Sequence, residues 1–549
     1  MSAPGTADLI VLADRVRTLD PERPHAQAVA MRDGVITAVG DRADARSWRS
    51  TDSEVIDLGA ATVTPGLVDG HIHPMLGVNL ANGADLSAVH TIDQLIEALR
   101  AHRREHPDDD WVQGWGLDPN AFGRQPITSA PIVAAVGDIP ALLILFDAHS
   151  AIATPAALNL AGIRGAMRFD GAASVVCDDN GRPTGHLLEI PAYELVRNVM
   201  PKPSVAELRS RLTALLAAMA ATGLTAGNAM DFDGRADEVM VSLPGDSPLP
   251  LRLRFAPMCM PGSGREFLDH VIDLQRLNGD RWQVEGAKFM IDGTIDAGTA
   301  WLDHPDCHGE STAPFWPDPA EYIDCVRYLA AAGVPTVTHA IGDAGVRYVL
   351  DALSDIPVGR TRSPAAEERR VPHRIEHIET IPDELLPRFR HLDVTASMQP
   401  THCTLYTRAD HSDNWSTRLG GERADHGFRI RDLRDAGARV ALGSDWPVAP
   451  YDPRGIIADA QLRRRHGHLE ETPIGAQQRL TALMALEGYT THAAAAAGLS
   501  SVAGVIAPGR RADLSAFTLD PVTVPPDEFA ESPVPLTVVA ATVAHRAHD

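Results

Sequence analysis

Four of the 23 histidines, one lysine and one aspartate have the types and placement that a hydrolytic metal centre needs: His71, His73, Lys288, His339, His377 and Asp445. His71 and His73 close an apolar run that begins at Val63. Residues two apart in a strand project to one face, so both imidazoles converge on one point. Neutral imidazoles hold a divalent ion, a carboxylate adds charge and basicity, and an open coordination position admits water. Two ions about 3.5 to 4 Å apart can share a hydroxide and a bridging ligand. A bare ammonium would repel them. Lys288 therefore fits as a carbamate formed with carbon dioxide and bridging the ions, or else as a substrate-binding amine. Asp445 would bind one ion and take the proton of the attacking water.

Six residues so far apart in sequence need a scaffold that returns repeatedly to one place. Eight short apolar or β-branched runs supply it: the run ending at His71, then 223–228, 251–257, 284–290, 334–340, 373–378, 393–398 and 439–445. Helical periodicity separates them at 204–221, 264–277, 320–332, 344–353, 382–389 and 431–437. Eight β/α units predict a closed (β/α)8 TIM barrel over 63–499, with its active site at the C-terminal strand ends, where the six residues stand. A further helix is expected over 477–497.

The chain ends read differently. Residues 8–54 alternate β runs with turns, including the hairpin signal Asp33-Gly34, and β character returns at 501–514. Strands need partners, so 1–62 and 500–549 are expected to form one small β domain. Between the first barrel strand and the rest, 105–203 is rich in Pro, Gly and aromatics and too long for a structureless loop. It reads as a folded insertion over the active-site mouth.

Further candidates are set by position. His149, in the insertion, would donate to a developing oxyanion, or is simply a buried histidine. Asp292 would orient a ligand or loop, or form an ordinary Asp-Gly turn. His402 and Trp446 follow strands seven and eight and are expected at the pocket wall. Trp115 is a substrate contact or a structural aromatic.

A formal charge of -24 opposes phosphate backbones and anionic membrane, so a nucleic-acid role is set aside. No signal peptide is legible at the start, and the apolar stretch 141–146 is too short to span a bilayer. The five cysteines match no metal or disulfide spacing. The expectation is a cytoplasmic enzyme with a small-molecule substrate and no membrane partner; a homodimer is left open.

The segments Val63-Thr64-Pro65-Gly66-Leu67-Val68-Asp69-Gly70-His71-Ile72-His73, Gly286-Ala287-Lys288-Phe289-Met290-Ile291-Asp292-Gly293 and Thr338-His339-Ala340-Ile341-Gly342-Asp343 carry a family likeness, as do Arg374-Ile375-Glu376-His377 and Gly443-Ser444-Asp445-Trp446-Pro447-Val448. Together they resemble the amidohydrolase superfamily, in particular its N-substituted formamide deformylase-like branch. The tail from Gly504 to Leu514 resembles that branch's return into a β-sandwich.

The resemblance implies a barrel with a composite β-sandwich and a binuclear, zinc-type centre. In it His71, His73, carbamylated Lys288 and Asp445 hold the more buried ion, and Lys288, His339 and His377 the other. It implies hydrolysis of C–N bonds in amides, formamides or cyclic amides, with ring deamination and lactone or ester hydrolysis as the alternatives. A non-catalytic binding barrel would lack a ligand, and none is lacking. Relatives continue the segment from Phe146 to Ala151 into an Asn-Ser pair, where Thr154-Pro155 stands here.

Overall fold

The computed structural model describes residues 6–80, 83–169, 173–244, 248–356, 359–361 and 369–547. Its centre is a set of eight parallel strands: β1 Leu67–Ile72, β2 Leu224–Ala229, β3 Arg252–Phe255, β4 Ala287–Met290, β5 Thr336–Ala340, β6 Arg374–His377, β7 Thr395–Met398 and β8 Arg439–Leu442. Ladders join β1 to β2 to β3, and β4 through β8 in order. Two short joins link the runs. Lys288 N–H donates to the Pro257 carbonyl at 2.8 Å, and Cys259 N–H donates to that of Lys288 at 2.8 Å. On the other side Asp445 N–H donates to His71 at 2.7 Å and His73 N–H to Trp446 at 2.8 Å. β4, β5, β6 and β7 are buried at every residue, so polar side chains on them, such as Arg374 and Glu376 of β6, must find partners inside the fold.

Helices cover the strands from outside. The longest, α1 (Val205–Ala221), starts at a capping box in which the Ser204 hydroxyl accepts from Glu207 N–H while Glu207 reaches back to the Ser204 N–H. Such a cap contributes about 1 kcal/mol. Leu208, Leu212, Leu216 and Met219, three or four apart, turn one stripe onto the strands.

Two expected strands are divided. The run from Val63 breaks at Gly66: Thr62–Pro65 pairs with Leu9–Arg17 and Leu514–Phe517, and only the residues after Gly66 join β1. A Cβ on Gly66 would lie 2.4 Å from Thr225 Oγ1, so the crossing admits no side chain. Likewise Trp282–Val284 adds beside β3, and the chain turns through Gly286 at φ 122° before entering β4. The expected helix over 477–497 is also two, Ala482–Tyr489 and Thr491–Ala496, because Thr490 leaves helical geometry at ψ -92°.

Strands from both chain ends share one eight-stranded sheet, in which Leu514–Phe517 pairs with Thr62–Pro65. Its hairpin turns at Asp33 and Gly34, both at positive φ as that turn requires. Arg17 grips Asp520 with two hydrogen bonds of 2.6 and 2.5 Å across the two ends. Residues 1–5 and 548–549 of the expected end domain lie outside the described residues.

A separate six-stranded sheet lies between β1 and β2. Its strands run in the order Ser174–Cys177, Pro183–Leu188, Ser150–Ala153, Ala141–Leu145, Val112–Leu117, Ala84–Asp85. It therefore begins at 84, upstream of the expected 105, because Ala84 and Asp85 pair with Gly114 and Trp115. Thr154 is buried inside it, accepting from Ala141 N–H and donating to the Ile139 carbonyl, both at 2.9 Å. The Thr154-Pro155 departure thus starts a short helix, Pro155–Leu160, in a position that supports the sheet. All five cysteines are free. Among the described residues no helix is long and apolar enough to cross a membrane.

Candidate metal centre

His71 Nε2, His73 Nε2 and Asp445 Oδ1 form a triangle with sides of 3.1, 3.2 and 3.1 Å. Its hydrogens can be assigned from the partners. Glu376 Oε2 lies 2.5 Å from His71 Nδ1. Burial opposes that carboxylate's charge, but Arg374 and His71 hold its pKa down to about 2, so it only accepts. His71 Nδ1 therefore carries the hydrogen and Nε2 presents a lone pair. Burial lowers His73 to about 4, keeping it neutral. Asp445 Oδ1 is buried without a hydrogen-bond donor. Three such atoms this close are placed as a divalent ion would gather them, and the donor set fits one.

The neighbouring histidines are prepared the same way. His377 Nδ1 donates to Gln399 Oε1 at 2.9 Å, and His339 Nε2 donates to the Gly293 carbonyl at 3.1 Å, so each leaves its other nitrogen bare. Burial drives both pKa values well down. His71, His377 and Asp445 bring one ligand atom each within 4.8 Å of one another. The chain supports this arrangement with unusual backbone: His377, Ile378 and Asp445 have φ of 74°, 51° and 60°. Behind them, Asp69 Oδ1 accepts from the N–H groups of His71 and Ser444, both at 3.0 Å, tying β1 to the end of β8.

Lys288, midway along β4, is 2% exposed. Among the described residues no carboxylate lies within salt-bridge range of its amine. Burial lowers its pKa to about 8, against the raising fields of Glu376 and Asp445. Such an amine is neutral often enough to be a nucleophile toward carbon dioxide.

His149 and His402 line the same cavity as His73, Lys288, His339, His377 and Asp445. His402 Nε2 is 3.6 Å from Asp445 Oδ2, and its ring stacks on His377 at 5.8 Å and 10°. His149 Nδ1 bonds Glu189 Oε2 at 2.9 Å, and although burial opposes it, the Glu189 charge raises His149 to about 9.

The other sequence candidates stand behind or beside the cavity. Asp292 is fully buried, accepting from the backbone N–H groups of Ile341, Gly342 and Trp301 at 3.0, 2.8 and 2.9 Å, with Oδ1 3.7 Å from His339 Nε2; it braces the loop after β4, the loop-orienting alternative of its reading. Trp446 packs edge-on against Tyr451 and closely over Gly77, away from the cavity wall. Trp115 lies in the inserted sheet and does not line the cavity either. The sequence alone gives Gln399 and Glu189 no role, and shows Asp69 and Glu376 only as members of the family-like segments. For Glu376 a signal existed: Arg374 and Glu376, two apart on one face of a buried strand, must satisfy each other and whatever lies between.

The cavity measures about 500 Å³, with Phe146, Tyr406, Trp415, Phe428, Met258 and Met260 among its walls. A profile described as Amidohydrolase family matches residues 54–545. The chain belongs to the amidohydrolase family. This family member is 27% identical over 535 residues to the YtcJ protein of Bacillus subtilis, covering 96% of this chain and 98% of that one. It is 27% identical over 558 residues to the N-substituted formamide deformylase of Arthrobacter pascens, covering 97% of each. Among solved structures, an uncharacterized metal-dependent hydrolase from Pyrococcus horikoshii superposes with a TM-score of 0.72 at 23% identity, covering 94% of this chain and 99% of that chain. As an amidohydrolase, the protein is a metal-dependent C–N bond hydrolase.

Proposed function

We propose that this amidohydrolase cleaves the C–N bond of an uncharged amide, N-substituted formamide or cyclic amide at a binuclear zinc-type centre. In this reading the eight parallel strands are a (β/α)8 barrel that starts at Leu67 and runs to about 499, and the end sheet, Thr62–Pro65 included, belongs to a composite β-sandwich of the two chain ends. The inserted sheet sits over the mouth. The observation that carries the reading is the triangle of His71 Nε2, His73 Nε2 and Asp445 Oδ1, three lone-pair atoms within 3.2 Å of one another.

His71, His73, Asp445 and a carbamate on Lys288 would hold one ion, and the same carbamate with His339 and His377 the second. The bound ions supply Lewis acidity toward the carbonyl and a water of lowered pKa. Asp445 accepts a proton from the attacking water and delivers it to the leaving nitrogen. His149, with Nδ1 bonded to Glu189, turns Nε2–H to the carbonyl oxygen and stabilises the charge that grows there. The aromatic and thioether walls hold the nitrogen substituent and keep out bulk water.

Charge limits the substrate. Besides Lys288, the lining cations among the described residues are both paired, Arg197 with Glu194 and His149 with Glu189, and Asp147, Asp231, Asp233 and Asp296 also line the wall. Away from the ions, no free cation among the described residues receives a carboxylate or phosphate, so a neutral substrate with an apolar nitrogen substituent fits best. Turnover of N-alkyl formamides, aryl amides, cyclic imides, lactones and aminopyrimidines by zinc- and bicarbonate-treated protein, read by mass, tests the reading. Amine with carboxylate supports it. Ammonia loss with the ring intact, or a hydroxy acid, supports deamination or lactone hydrolysis instead.

A further inference from the structure

Glu189 joins the inserted sheet to the loop that follows β4. It is fully buried, between the strand Pro183–Leu188 and the helix Ile190–Arg197, with φ 63° and ψ 156°, a conformation that side chains other than glycine seldom adopt. Both of its oxygens are engaged. Oε2 accepts from His149 Nδ1 at 2.9 Å, and Oε1 accepts from the Thr299 hydroxyl at 2.7 Å. Among the described residues its ion-pair partner is His149 alone, with no arginine or lysine in range.

Thr299 is itself fixed. Its hydroxyl accepts from Thr294 N–H at 3.0 Å, its N–H donates to the Thr294 carbonyl at 2.9 Å, and its carbonyl accepts from Gly293 N–H at 2.9 Å. The same Gly293 gives its carbonyl to His339 Nε2. A Cβ at Gly293 would fall 2.2 Å from Thr299 Oγ1 and 2.7 Å from Glu189 Oε1, so the glycine makes room for the contact.

We propose that Glu189 and Thr299 are positioning residues for His149: Thr299 orients the Glu189 carboxylate, which fixes His149 Nδ1–H and thereby aims Nε2–H at the scissile carbonyl. The proposal rests on the role given to His149 above. It makes the inserted sheet a supplier of the reaction's donor, completed only by its contact with the loop at 293–299. Arrangements of this kind, a group held in its productive orientation by a carboxylate behind it, change rate more than binding.

The test is a double-mutant cycle on the metal-loaded enzyme with its best amide substrate. His149→Ala is expected to lower kcat about 100-fold or more. Glu189→Gln keeps the shape and removes the charge; it is expected to lower kcat about 10- to 100-fold with KM within about threefold and metal content unchanged. In the His149→Ala background the same change should alter kcat by less than about threefold. Thr299→Val should lower kcat and Thr299→Ser restore it, which carries the test if Glu189→Gln folds poorly. Glu189 and Thr299 variants with full kcat beside an impaired His149→Ala would overturn the positioning role alone, as would an undiminished Glu189 effect in the His149→Ala background. Full kcat in His149→Ala would overturn the role of His149 itself and the positioning role with it.

Discussion

The Glu376 carboxylate meets His71 Nδ1 at 2.5 Å and is gripped from behind by the Arg374 guanidinium at 2.9 and 3.0 Å. Arg374 is anchored in turn on the Gly70 carbonyl at 2.6 Å and the Ser397 hydroxyl at 2.9 Å, so β1, β6 and β7 jointly set the orientation of one imidazole. A histidine so held has its hydrogen on Nδ1 and its lone pair at the metal position, before any ion arrives.

Glu376→Gln weakens that hold while keeping the volume. Zinc affinity should fall about 10- to 100-fold, the usual consequence of losing a ligand's outer partner. Competition with a chromogenic chelator measures it; unchanged affinity would show that His71 needs no such support.

The carboxylate-rich, cation-poor wall predicts selection by charge. Placing a carboxylate on the nitrogen substituent of a good formamide substrate should lower kcat/KM by about 100-fold, since the group would enter a buried site without a partner. Steady-state kinetics of the matched pair decides this, and equal kcat/KM would mean that Arg197 is released from Glu194 on binding.

Thr154→Val tests whether the departure at Thr154-Pro155 is structural. The valine leaves Ala141 N–H unsatisfied, and stability should fall by about 1 to 3 kcal/mol with kcat and KM unchanged. Denaturant unfolding beside steady-state kinetics reads both, and a change in KM would bring this position into the substrate site.

His492 predicts a pH dependence of stability. Burial, with Arg434 and Arg439 nearby, lowers it to about 4, and its Nδ1 accepts from Val440 N–H at 3.0 Å in β8. Between about 4 and the ordinary value of 6.5 the unfolded chain binds the extra proton, so this contribution is full above 6.5 and is lost as pH falls toward 4. From pH 7 to 5 the loss from this residue is about 2 kcal/mol. His492→Gln should flatten the stability-against-pH curve over that interval, as followed by denaturant unfolding. An unchanged slope would remove His492 from the account.

Much of the centre is legible in the sequence because its ligands sit at the ends of short buried strands, where local pattern reports position. His71, His73, His339, His377 and Asp445 can be found this way. The partners that finish the site are harder to see. Glu189 lies 40 residues from His149 and meets it only through the pairing of Pro183–Leu188 with Ser150–Ala153, which no local period encodes. Trp446 looks like a pocket residue because it follows a strand end, but Gly77 makes room for it away from the cavity; for Asp292 the letters leave ligand, loop and turn open, and the backbone N–H groups it accepts from decide for the loop. The run from Val63 reads as one strand because burial on both faces gives the same apolar letters on either side of Gly66, although two different sheets receive the halves.

The most direct test of the central claim is amine release from an N-alkyl formamide by zinc- and bicarbonate-reconstituted protein, compared with Asp445→Asn loaded in the same way. The account predicts equimolar amine and formate from the wild type, abolished by chelation, and turnover at least about 1,000-fold lower in the variant, which keeps the shape but cannot take the proton. Amine release that survives in Asp445→Asn, or that persists without metal, would contradict it.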